Sequence, residues 1–506
     1  MINKIIKINN NFQKKLNSFR FINKKIVLCH GVFDILHLGH LKYFESAKKQ
    51  GDILIVSVTS DKFVRNKYFS KPYFDISKRM EALKYISEID YIVESNFHTA
   101  INIIKLIKPN YYIKGPDYKN QINDNDLKEE IKELKKYGGK FKTTNTERYS
   151  STNILFNNFK LLNNKQLKYI SNLKKTNYNI DNTITLLNSY RPKVLVIGET
   201  IIDEYIECET IGTSSKEPIL VTKIQKTNQH LGGIINISNH LKDFSKSITA
   251  LTALGSDTSE NSKIIKKIDK KINFHHILKS DSPIIKKTRY IENYTKNKMF
   301  GSYHLNDSDL LKSDNDLFIK KLKKQLPLSD LVYLVDYGHG LISKNAISYI
   351  KSKSKFLCIN KQLNSSNKNR FNLDIYQKCD LFCIQESEIR FHFKDQSTKI
   401  NLLSKKFFNE NRFKVLIITL GVNGCLLIDK LNTIECPAFS SKDVVDRVGA
   451  GDTFFSIAGL LLWNKISYDQ ILLLSNLAAG EKISYLGNSF SITRNNLIKN
   501  FQNILK

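Results

Sequence analysis

The chain contains 506 residues, with 79 Lys and Arg residues against 48 Asp and Glu residues, and its formal net charge is +31. This length exceeds one ordinary hydrophobic core and predicts two or three domains. The charge does not indicate nucleic-acid binding, because Lys far outnumbers Arg and the densest basic runs, KLKKQ and KKIDKK, fit the polar faces of helices. The expected partners are therefore small anionic substrates and not nucleic acid.

Cysteine spacing and hydropathy indicate a cytoplasmic protein without a membrane span. The seven cysteines lack the two-plus-two spacing of a zinc site, which predicts reduced and mostly buried thiols. The segment MINKIIKINNNF lacks the apolar core of a signal peptide. The longest apolar stretch, FFSIAGLLLW at 454–463, is shorter than a membrane span and predicts a buried helix.

From Ile26 onward, apolar runs of strand length alternate with helical patterns. The strand-like runs are KIVLCHG, DILIVSVTS, DYIVE and YYIKG, and they are separated by HLKYFESAKKQ, SKRMEALKYI and HTAINIIKLI. Nearly continuous apolar strands with helices between them predict a parallel sheet covered on both faces. We expect a first α/β domain over residues 1–156 and an Asn- and Lys-rich linker, helical in parts, over residues 157–190.

The alternation resumes after RPKVLVIGETIIDEY and continues through DLVYLVDYG, KFLCIN, CDLFCI and KVLIITLG. It predicts a second α/β domain over residues 191–506. The insert YIECETIGTSSKEPILVTKIQKTNQHLGG differs, because it is rich in β-branched and turn residues and has no helical period. This insert predicts a small β-sheet that covers the larger domain as a lid.

The stretch GVFDILHLGH places His37 and His40 between the first strand and the next helix. Gly31 ends the strand where backbone can approach a ligand, and Gly39 precedes a helix whose free N–H groups favour an anion. Two imidazoles there can donate to charge that develops on a phosphate. The pattern predicts nucleotidyl transfer, in which an acceptor phosphate attacks the α-phosphorus of a nucleoside triphosphate. Helix-end residues or an incomplete metal site are the alternatives.

This stretch resembles the HxGH motif of the cytidylyltransferase-like nucleotidyltransferases, which implies a Rossmann-like domain. By this resemblance His37 and His40 stabilise the transition state, and Asp34 has a structural or sugar-contacting role. The other residues that the resemblance places at the nucleotide or its phosphates are Gly31, Phe33, Gly39, Lys67, Arg79, Lys114, Ser150, Ser151 and Thr152.

Motifs that differ between subfamilies of these nucleotidyltransferases indicate which nucleotide the first domain uses. The glycerol-phosphate cytidylyltransferases carry RYVDEV, where this chain reads SEIDYIV without the arginine. The motif KGPDYK is closer to the KGGDYK of the heptose-1-phosphate adenylyltransferases. The resemblance therefore favours ATP over CTP and leaves CTP open at this site.

The stretch DVVDRVGAGDTFF predicts a second anion site. Gly449, Ala450 and Gly451 are small, so consecutive N–H groups at a helix start can converge on one oxygen. The Asp452 carboxylate can take the proton of an attacking sugar hydroxyl while these groups hold the charge of the γ-phosphoryl group. A tight helix-capping turn is the alternative.

From about Pro192 onward the sequence resembles the PfkB, or ribokinase-like, sugar kinases. The resemblance implies that Asp452 is the catalytic base and that Glu388 of QESE is linked indirectly to magnesium. It also implies a sugar site with Asp203, Gly232, Gly233 and Asn236, a nucleotide loop with Thr419, Gly421 and Gly424, and an adenine contact at Asn476.

Four departures from that family concern the kinase half. Gln385 replaces the Asn of N-x-x-E, Arg447 replaces the Thr before G-A-G-D, and His339 stands where heptose kinases tend to have Lys. The stretch CINKQLNSSN also lacks the usual Asp. They favour an active kinase with a different substrate, or else a silent kinase-like module that binds sugar or a partner protein.

Together the halves resemble the bifunctional heptose-7-phosphate kinases and heptose-1-phosphate adenylyltransferases, with the domain order inverted. The resemblance implies a homodimeric enzyme that uses Mg²⁺ and ATP to make an ADP-heptose-like nucleotide sugar for surface glycan or lipopolysaccharide. A cytidylyltransferase for another sugar or polyol phosphate, or a transferase fused to a silent kinase module, remains the alternative.

Overall fold

The computed structural model describes residues 4–64, 72–118, 125–144, 162–175, 180–439 and 444–505. The chain divides into two compact units, the first ending at Asn163 and the second spanning Asn164–Leu505. All seven cysteines lie in the described ranges as buried free thiols, as the sequence predicts. No helix in these ranges has both the length and the apolar character needed to cross a membrane.

The first unit contains a parallel sheet between two layers of helices, as predicted. Its strands are β1 (Ile26–Gly31), β2 (Ile53–Thr59), β3 (Tyr91–Ser95), β4 (Tyr111–Lys114) and β5 (Lys140–Thr143). Its helices are α1 (Asn10–Phe21), α2 (Leu38–Lys48), α3 (Ile76–Lys84), α4 (Ile101–Ile107) and α5 (Asn125–Lys135). The strand order in the described residues is β3-β2-β1-β4-β5.

Period-two alternation along β1 explains the two layers. Val27 and Cys29 pack with side chains of α2 and α3, whereas Ile26 and Leu28 pack with those of α1 and α4. The strand order reverses between β1 and β4, and both strands end at the same edge because they are parallel. A ligand crevice is expected outside the carboxyl ends of these two strands.

The second unit contains two sheets. In chain order its strands are β6 (Lys193–Gly198), β7 (Thr200–Thr213), β8 (Leu220–Gly233), β9 (Ser247–Leu254), β10 (Ile272–Leu278), β11 (Ile285–Glu292), β12 (Lys298–His304), β13 (Leu331–Asp336), β14 (Leu357–Lys361), β15 (Leu381–Gln385), β16 (Val415–Thr419), β17 (Cys425–Ile428) and β18 (Thr433–Cys436). Among the described residues, the larger sheet has the order β10-β9-β6-β13-β14-β15-β16-β17-β18. It is parallel up to β16, and β17 and β18 are antiparallel.

The predicted small sheet is present and is larger than the sequence indicated. Its order is β12-β11-β7-β8, in which β7 and β8 form a long antiparallel hairpin. The strands β11 and β12 join it from a separate part of the chain. These two strands were not predicted from the sequence. Neither shows a regular alternation of buried and exposed residues, and β11 pairs with β7, which is distant in sequence.

Helices flank the larger sheet. They are α6 (Asn164–Lys175), α7 (Ile180–Ser189), α8 (Ile234–Leu241), α9 (Thr258–Lys267), α10 (Lys312–Gln325), α11 (Lys344–Lys353), α12 (Glu386–Phe393), α13 (Ile400–Asn411), α14 (Ala450–Trp463), α15 (Tyr468–Lys482) and α16 (Arg494–Leu505). The apolar segment at 454–463 lies within α14 and is mostly buried there, as predicted.

The structure differs from the predicted linker at residues 164–189. The helices α6 and α7 pack against α16, and Ile170 and Leu173 are buried. The hydroxyl of Tyr169 donates a hydrogen bond of 2.9 Å to the carbonyl oxygen of Asp469. These residues belong to the second unit, because their apolar side chains recur at helical spacing and find a partner there.

Candidate active sites

In the first unit, the loop after β1 brings the two motif histidines together. His37 is the N-cap residue of α2, and its Nδ1 accepts a 3.1 Å hydrogen bond from the backbone N–H of Gly39. The ring centroids of His37 and His40 lie 4.1 Å apart. Because Nδ1 accepts, the neutral His37 ring carries its proton on Nε2 and is a hydrogen-bond donor there. Burial lowers the pKa of His37, which favours this neutral form at pH 7.

Lys114 ends β4, the neighbour of β1 at the reversal of strand order. Its Nζ lies 3.4 Å from the carbonyl oxygen of His30, the residue before Gly31 on β1. The two histidines and this ammonium therefore follow the carboxyl ends of adjacent parallel strands. Such an arrangement supplies several donors for phosphate oxygens at the place where α/β sheets bind ligands.

The side chain of Phe33 lies in the core of the first unit. Its ring is buried and packs against Phe44 at a centroid distance of 5.2 Å. A Cβ atom on Gly31 would lie 2.9 Å from this ring, so the glycine makes room for Phe33. The backbone of Phe33 has a φ of 50°, which turns the chain after the strand. The ring of Phe33 supports the histidine loop from the core, and a contact of this residue with the nucleotide stays a prediction.

Arg79, which was also predicted at the nucleotide, is buried and hydrogen-bonded to the protein. The residue is 1% exposed, and its guanidinium donates to Asp61 Oδ1 at 2.6 Å and to the carbonyl oxygen of Thr59 at 2.9 Å. It also donates to the carbonyl oxygens of Val32 and Phe74. These acceptors engage the guanidinium, so Arg79 joins the loop after β1 to the loop after β2, and its contact with a phosphate stays a prediction.

Asp34 shows a structural contact. Its carboxylate accepts the backbone N–H groups of Tyr73 and Phe74 at 2.7 and 2.9 Å. This favours the structural role among the two that were expected for it. Four other predicted residues lie outside the described part of the chain: Lys67, Ser150, Ser151 and Thr152.

In the second unit, a cavity of about 480 Å³ opens at the carboxyl ends of the large sheet. Gln385 and Thr419, which end β15 and β16, line it, as do Tyr337 just after β13 and Gln362 just after β14. The predicted residues that line it are Asp203, Gly233, Glu388, Thr419, Gly421, Gly424, Gly449, Ala450, Gly451, Asp452 and Asn476. The structure therefore brings sugar, phosphate and nucleotide motifs from distant parts of the sequence into one cavity.

Asp452 lies in the first turn of α14 and is held on both carboxylate oxygens. Asn236 Nδ2 donates to Oδ2 at 3.2 Å, and the Tyr337 hydroxyl donates to Oδ1 at 3.2 Å. Burial raises the pKa of Asp452 to about 6, against the opposing effect of these two hydrogen bonds. A carboxylate of this basicity is ionised at pH 7 and suits a general base.

The small-residue loop precedes Asp452. Gly449 is the N-cap residue of α14 with a φ of 80°, and a Cβ atom there would lie 2.5 Å from Asn488 Oδ1. Glycine is required at this position by both the backbone and the space. The N–H of Ala450 donates to the carbonyl oxygen of Arg447 at 3.3 Å, so of the three predicted anion-binding groups this one has a protein partner. Gly451 is open, with no atom within 4 Å of an added Cβ.

Asp203 is oriented by charge and by close packing. Its Oδ1 accepts from Arg289 at 2.7 Å, and its Oδ2 accepts from Asn488 Nδ2 at 2.9 Å. A Cβ atom on Gly232 would lie 2.3 Å from Asp203 Oδ2, which explains a glycine at that position. Gly232 and Asn236 thus act next to the cavity through the two aspartates that line it.

The cavity wall contains a pair of cations that was not predicted from the sequence. Lys287 and Arg289 lie on β11 and line the cavity beside Asp203. Their spacing of two in KKTR places them on one face of a strand, and this was the available signal. Burial lowers the pKa of Lys287, and the nearby Asp203 opposes this effect. Lys287 has no carboxylate within ion-pair distance among the described residues.

Asn476 and Glu388 also line the cavity. Asn476 Nδ2 donates to the sulfur atoms of Cys425 and Cys436 at 3.1 and 3.4 Å. Glu388 accepts the backbone N–H groups of Leu363 and Gln385, each at 2.8 Å. Burial raises the pKa of Glu388 to about 7. Both carboxylate oxygens are therefore engaged by the protein, which fits an indirect link to a metal.

The departures from the kinase pattern fall into two groups. Gln385 and Arg447 line the cavity, as does Asn360 of CINKQLNSSN. His339 is buried outside the cavity wall, where its Nδ1 lies 2.8 Å from Asp307 Oδ1. Gln385 and Arg447 therefore alter the surface that lines the cavity, whereas His339 lies outside it.

Comparison with known proteins agrees with this division of the chain. The cytidylyltransferase-like family model matches residues 28–155. The bifunctional protein HldE of Aliarcobacter butzleri is 37% identical over 158 residues, which are 31% of this chain and 33% of that protein. The HldE of Haemophilus influenzae is 39% identical over 143 residues, 28% of each chain. The chain thus matches about a third of the length of these curated relatives, in its N-terminal region.

Solved structures resemble the second unit. Ribokinase from Thermotoga maritima has a TM-score of 0.50 and 19% identity, and the match covers 62% of this chain and 99% of that one. Phosphofructokinase-2 from Escherichia coli has a TM-score of 0.50 and 14% identity, with 62% and 100% covered. These similarities establish a ribokinase-like fold. The family model of the pfkB carbohydrate kinases matches residues 191–494, more than half of the chain, and the protein therefore belongs to the pfkB family, with a cytidylyltransferase-like domain in its N-terminal part.

Proposed function

We propose that the chain is a bifunctional enzyme, a sugar-phosphate kinase and a sugar-1-phosphate nucleotidyltransferase that together make a nucleotide sugar of the ADP-heptose type. The observation that carries the proposal is the cavity of the second unit, which joins Asp203, Asp452 and the two cations of β11. The histidine pair of the first unit supplies the other activity. Similarity to HldE proteins over the first unit supports the pairing of these two activities.

In the kinase step, Asp452 takes the proton of a sugar hydroxyl as its oxygen attacks the γ-phosphorus of ATP. The bond from the γ-phosphorus to the bridging oxygen breaks, and ADP leaves. Asn236 and Tyr337 hold the carboxylate in place, so its orientation does not depend on the substrate. Gly449 and Gly451, at the N-terminal end of α14, face the charge of the transferred group.

The two cations of β11 support a phosphorylated substrate. Arg289 is already paired with Asp203, whereas Lys287 faces the cavity without a carboxylate partner among the described residues. Burying an ammonium is costly unless a negative charge meets it. A phosphate carried by the sugar would meet Lys287, while the Asp203 carboxylate accepts a sugar hydroxyl.

In the nucleotidyl transfer step, a phosphate oxygen of the sugar 1-phosphate attacks the α-phosphorus of the nucleoside triphosphate and displaces pyrophosphate. His37 donates from Nε2 to the phosphate oxygens, and His40 and Lys114 add donors beside it. We propose ATP as the nucleotide, on the KGPDYK motif, with CTP as the alternative.

Magnesium would accompany the nucleotide at both sites. The described residues contain no group of three or more His, Cys, Asp or Glu side chains arranged to hold a metal. Magnesium retains waters and binds substrate phosphates, so such a cage is not needed. Glu388 would contact the ion through water, because its two oxygens already accept backbone N–H groups. The ion would neutralise charge on the phosphates.

We also propose a cytoplasmic homodimer formed through the small sheet. Exposed apolar side chains on and beside the β7–β8 hairpin support this interface, since burying them against a second copy removes apolar surface from water. They are Ile211, Ile219, Leu220, Val221 and Ile224. Light scattering on the purified chain tests it, and a monomer at micromolar concentration would contradict it.

The decisive experiment is an incubation with ATP or CTP, magnesium and a panel of heptose, hexose and polyol phosphates, followed by mass spectrometry. We expect one sugar phosphate to gain a phosphoryl group and a sugar 1-phosphate to yield an ADP-sugar. Nucleotide-sugar formation without phosphorylation of any substrate would favour the silent kinase module. A product made only with CTP would favour the cytidylyltransferase alternative.

A further inference from the structure

Lys482, near the C-terminal end of α15, has a completely buried side chain. Its ammonium donates to two backbone carbonyl oxygens, that of Gly487 at 2.6 Å and that of Val448 at 2.9 Å. Among the described residues, no carboxylate lies within ion-pair distance of it. The ligands of this charge are therefore neutral carbonyl oxygens, which is unusual for a buried lysine.

Asp446 binds the same two residues through their N–H groups. Its Oδ1 accepts the N–H of Val448 at 3.2 Å, and its Oδ2 accepts the N–H of Gly487 at 3.0 Å. Val448 and Gly487 are thus each fixed twice, by a carboxylate at the N–H and by an ammonium at the C=O. Asp446 also forms an ion pair with Lys298 of β12, with 2.7 Å between Oδ1 and Nζ.

The ammonium lies directly behind the anion loop. A Cβ atom on Gly449 would lie 3.3 Å from Lys482 Cε, and Gly449 follows Val448 in the chain. Burial lowers the pKa of Lys482, while Asp446, Asp452 and Asp203 favour its charged form. An apolar side chain would fill this helix position at less cost, so packing alone does not explain a lysine.

We propose that Lys482 is a positioning residue that serves the kinase half as an internal monovalent cation. The charged group of the Lys482 side chain takes the place of a free monovalent cation, such as potassium or the ammonium ion. These ions have the same charge and also bind carbonyl oxygens. It holds Val448 and Gly449 in the conformation that accepts a phosphoryl group and places a fixed positive charge behind that group. The proposal rests on the proposed kinase function and deepens it.

The test removes the charge and then returns it from solution. Lys482→Ala leaves space for a small cation, and we expect its kcat for phosphorylation in sodium chloride to fall about 100-fold, as loss of one stabilising group in such a site does. The KM for the sugar phosphate should change less than threefold, because Lys482 does not line the cavity. Ammonium or potassium chloride should restore kcat at least tenfold, and tetramethylammonium chloride at equal ionic strength should not.

Wild type should respond less than twofold to the choice of these salts. Lys279→Ala is the matched control, since Lys279 is also buried and donates to three carbonyl oxygens, those of Asn306, Ser308 and His339, away from the cavity. This control should lose stability but keep kcat within about twofold. Nucleotidyl transfer by the first unit reports that each variant is folded.

Three results would overturn the proposal: an unchanged kcat in Lys482→Ala, a loss that no small cation restores, or a wild type that itself requires potassium. If the wild type phosphorylates no sugar, the proposed function fails, and the binding of a non-hydrolysable ATP analogue becomes the readout. The proposal then predicts that Lys482→Ala binds the analogue more weakly in sodium chloride and regains affinity in ammonium chloride. Equal affinity in both salts would reject it.

Discussion

Asn236 and Asp452 are joined by a hydrogen bond of 3.2 Å from Nδ2 to Oδ2. This bond connects the first turn of α8 to the first turn of α14, so residues far apart in the sequence fix one carboxylate. Because Gly232 before α8 also packs against Asp203, the two carboxylates that line the cavity share one support. The aspartate is thereby positioned before any substrate binds.

Asp452→Asn should abolish phosphorylation and at the same time stabilise the protein. Burial raises the pKa of the native carboxyl from 3.8 to about 6, so the ionised group destabilises the folded state. We expect the variant to gain about 1–2 kcal/mol in the free energy of unfolding at pH 7, after one lost hydrogen bond is subtracted. Urea unfolding measures it. The gain should be absent below about pH 4 and complete above about pH 6, and a gain independent of pH would contradict the assignment.

The pH dependence of the kinase follows from the same group. Asp452 must be ionised to take a proton, so kcat/KM should fall tenfold per pH unit below about pH 6. Nucleotidyl transfer does not use this carboxylate and serves as the control in the same preparation. A kinase profile that stays flat down to pH 5 would show that Asp452 is not the base.

Lys287→Met should weaken the binding of a phosphorylated sugar selectively. A charge-assisted contact to phosphate contributes about 1.5–3 kcal/mol, so KM should rise roughly 10- to 100-fold with a smaller change in kcat. Lys286→Met is the matched control, because the Lys286 ammonium pairs with Glu260 at 3.2 Å. Steady-state kinetics with the sugar phosphate and with its unphosphorylated form make the comparison. An equal loss for both substrates would remove Lys287 from phosphate recognition.

His37→Ala should lower nucleotidyl transfer by about 100- to 1,000-fold, as loss of one preorganised donor at a transition state does. Phosphorylation should stay within twofold of wild type. His98→Ala is the control in the same unit. The His98 ring is exposed and contacts the carbonyl oxygen of Phe63, and it is not one of the two motif histidines. Pyrophosphate release measures the first activity. If both histidine variants lose it equally, the role belongs to folding and not to His37.

The sequence predicted the parallel sheets and the residues that meet at their carboxyl ends, because strand hydrophobicity and glycine spacing are local signals. It did not predict β11 and β12, and so it missed Lys287 and Arg289. The contacts of Lys482 were also out of reach, since they depend on two carbonyls that only the folded chain brings together. The motifs also did not report that the Phe33 ring and the Arg79 guanidinium are buried, and the nucleotide contacts of these two residues stay predictions.

The variant Arg79→Met tests whether Arg79 has a structural role or binds a phosphate. Its buried guanidinium joins two loops through Asp61 and backbone carbonyls, so Arg79→Met would remove the donor of these carbonyls and leave Asp61 with the backbone N–H of Ile76. Leaving a buried acceptor without its donor costs about 1–3 kcal/mol, and we expect nucleotidyl transfer to be lost at a lower urea concentration than in wild type. Phosphorylation should survive to the same urea concentration in both proteins. Should Arg79→Met instead keep the stability of wild type and only bind ATP more weakly, Arg79 would be a phosphate ligand, as its motif implies.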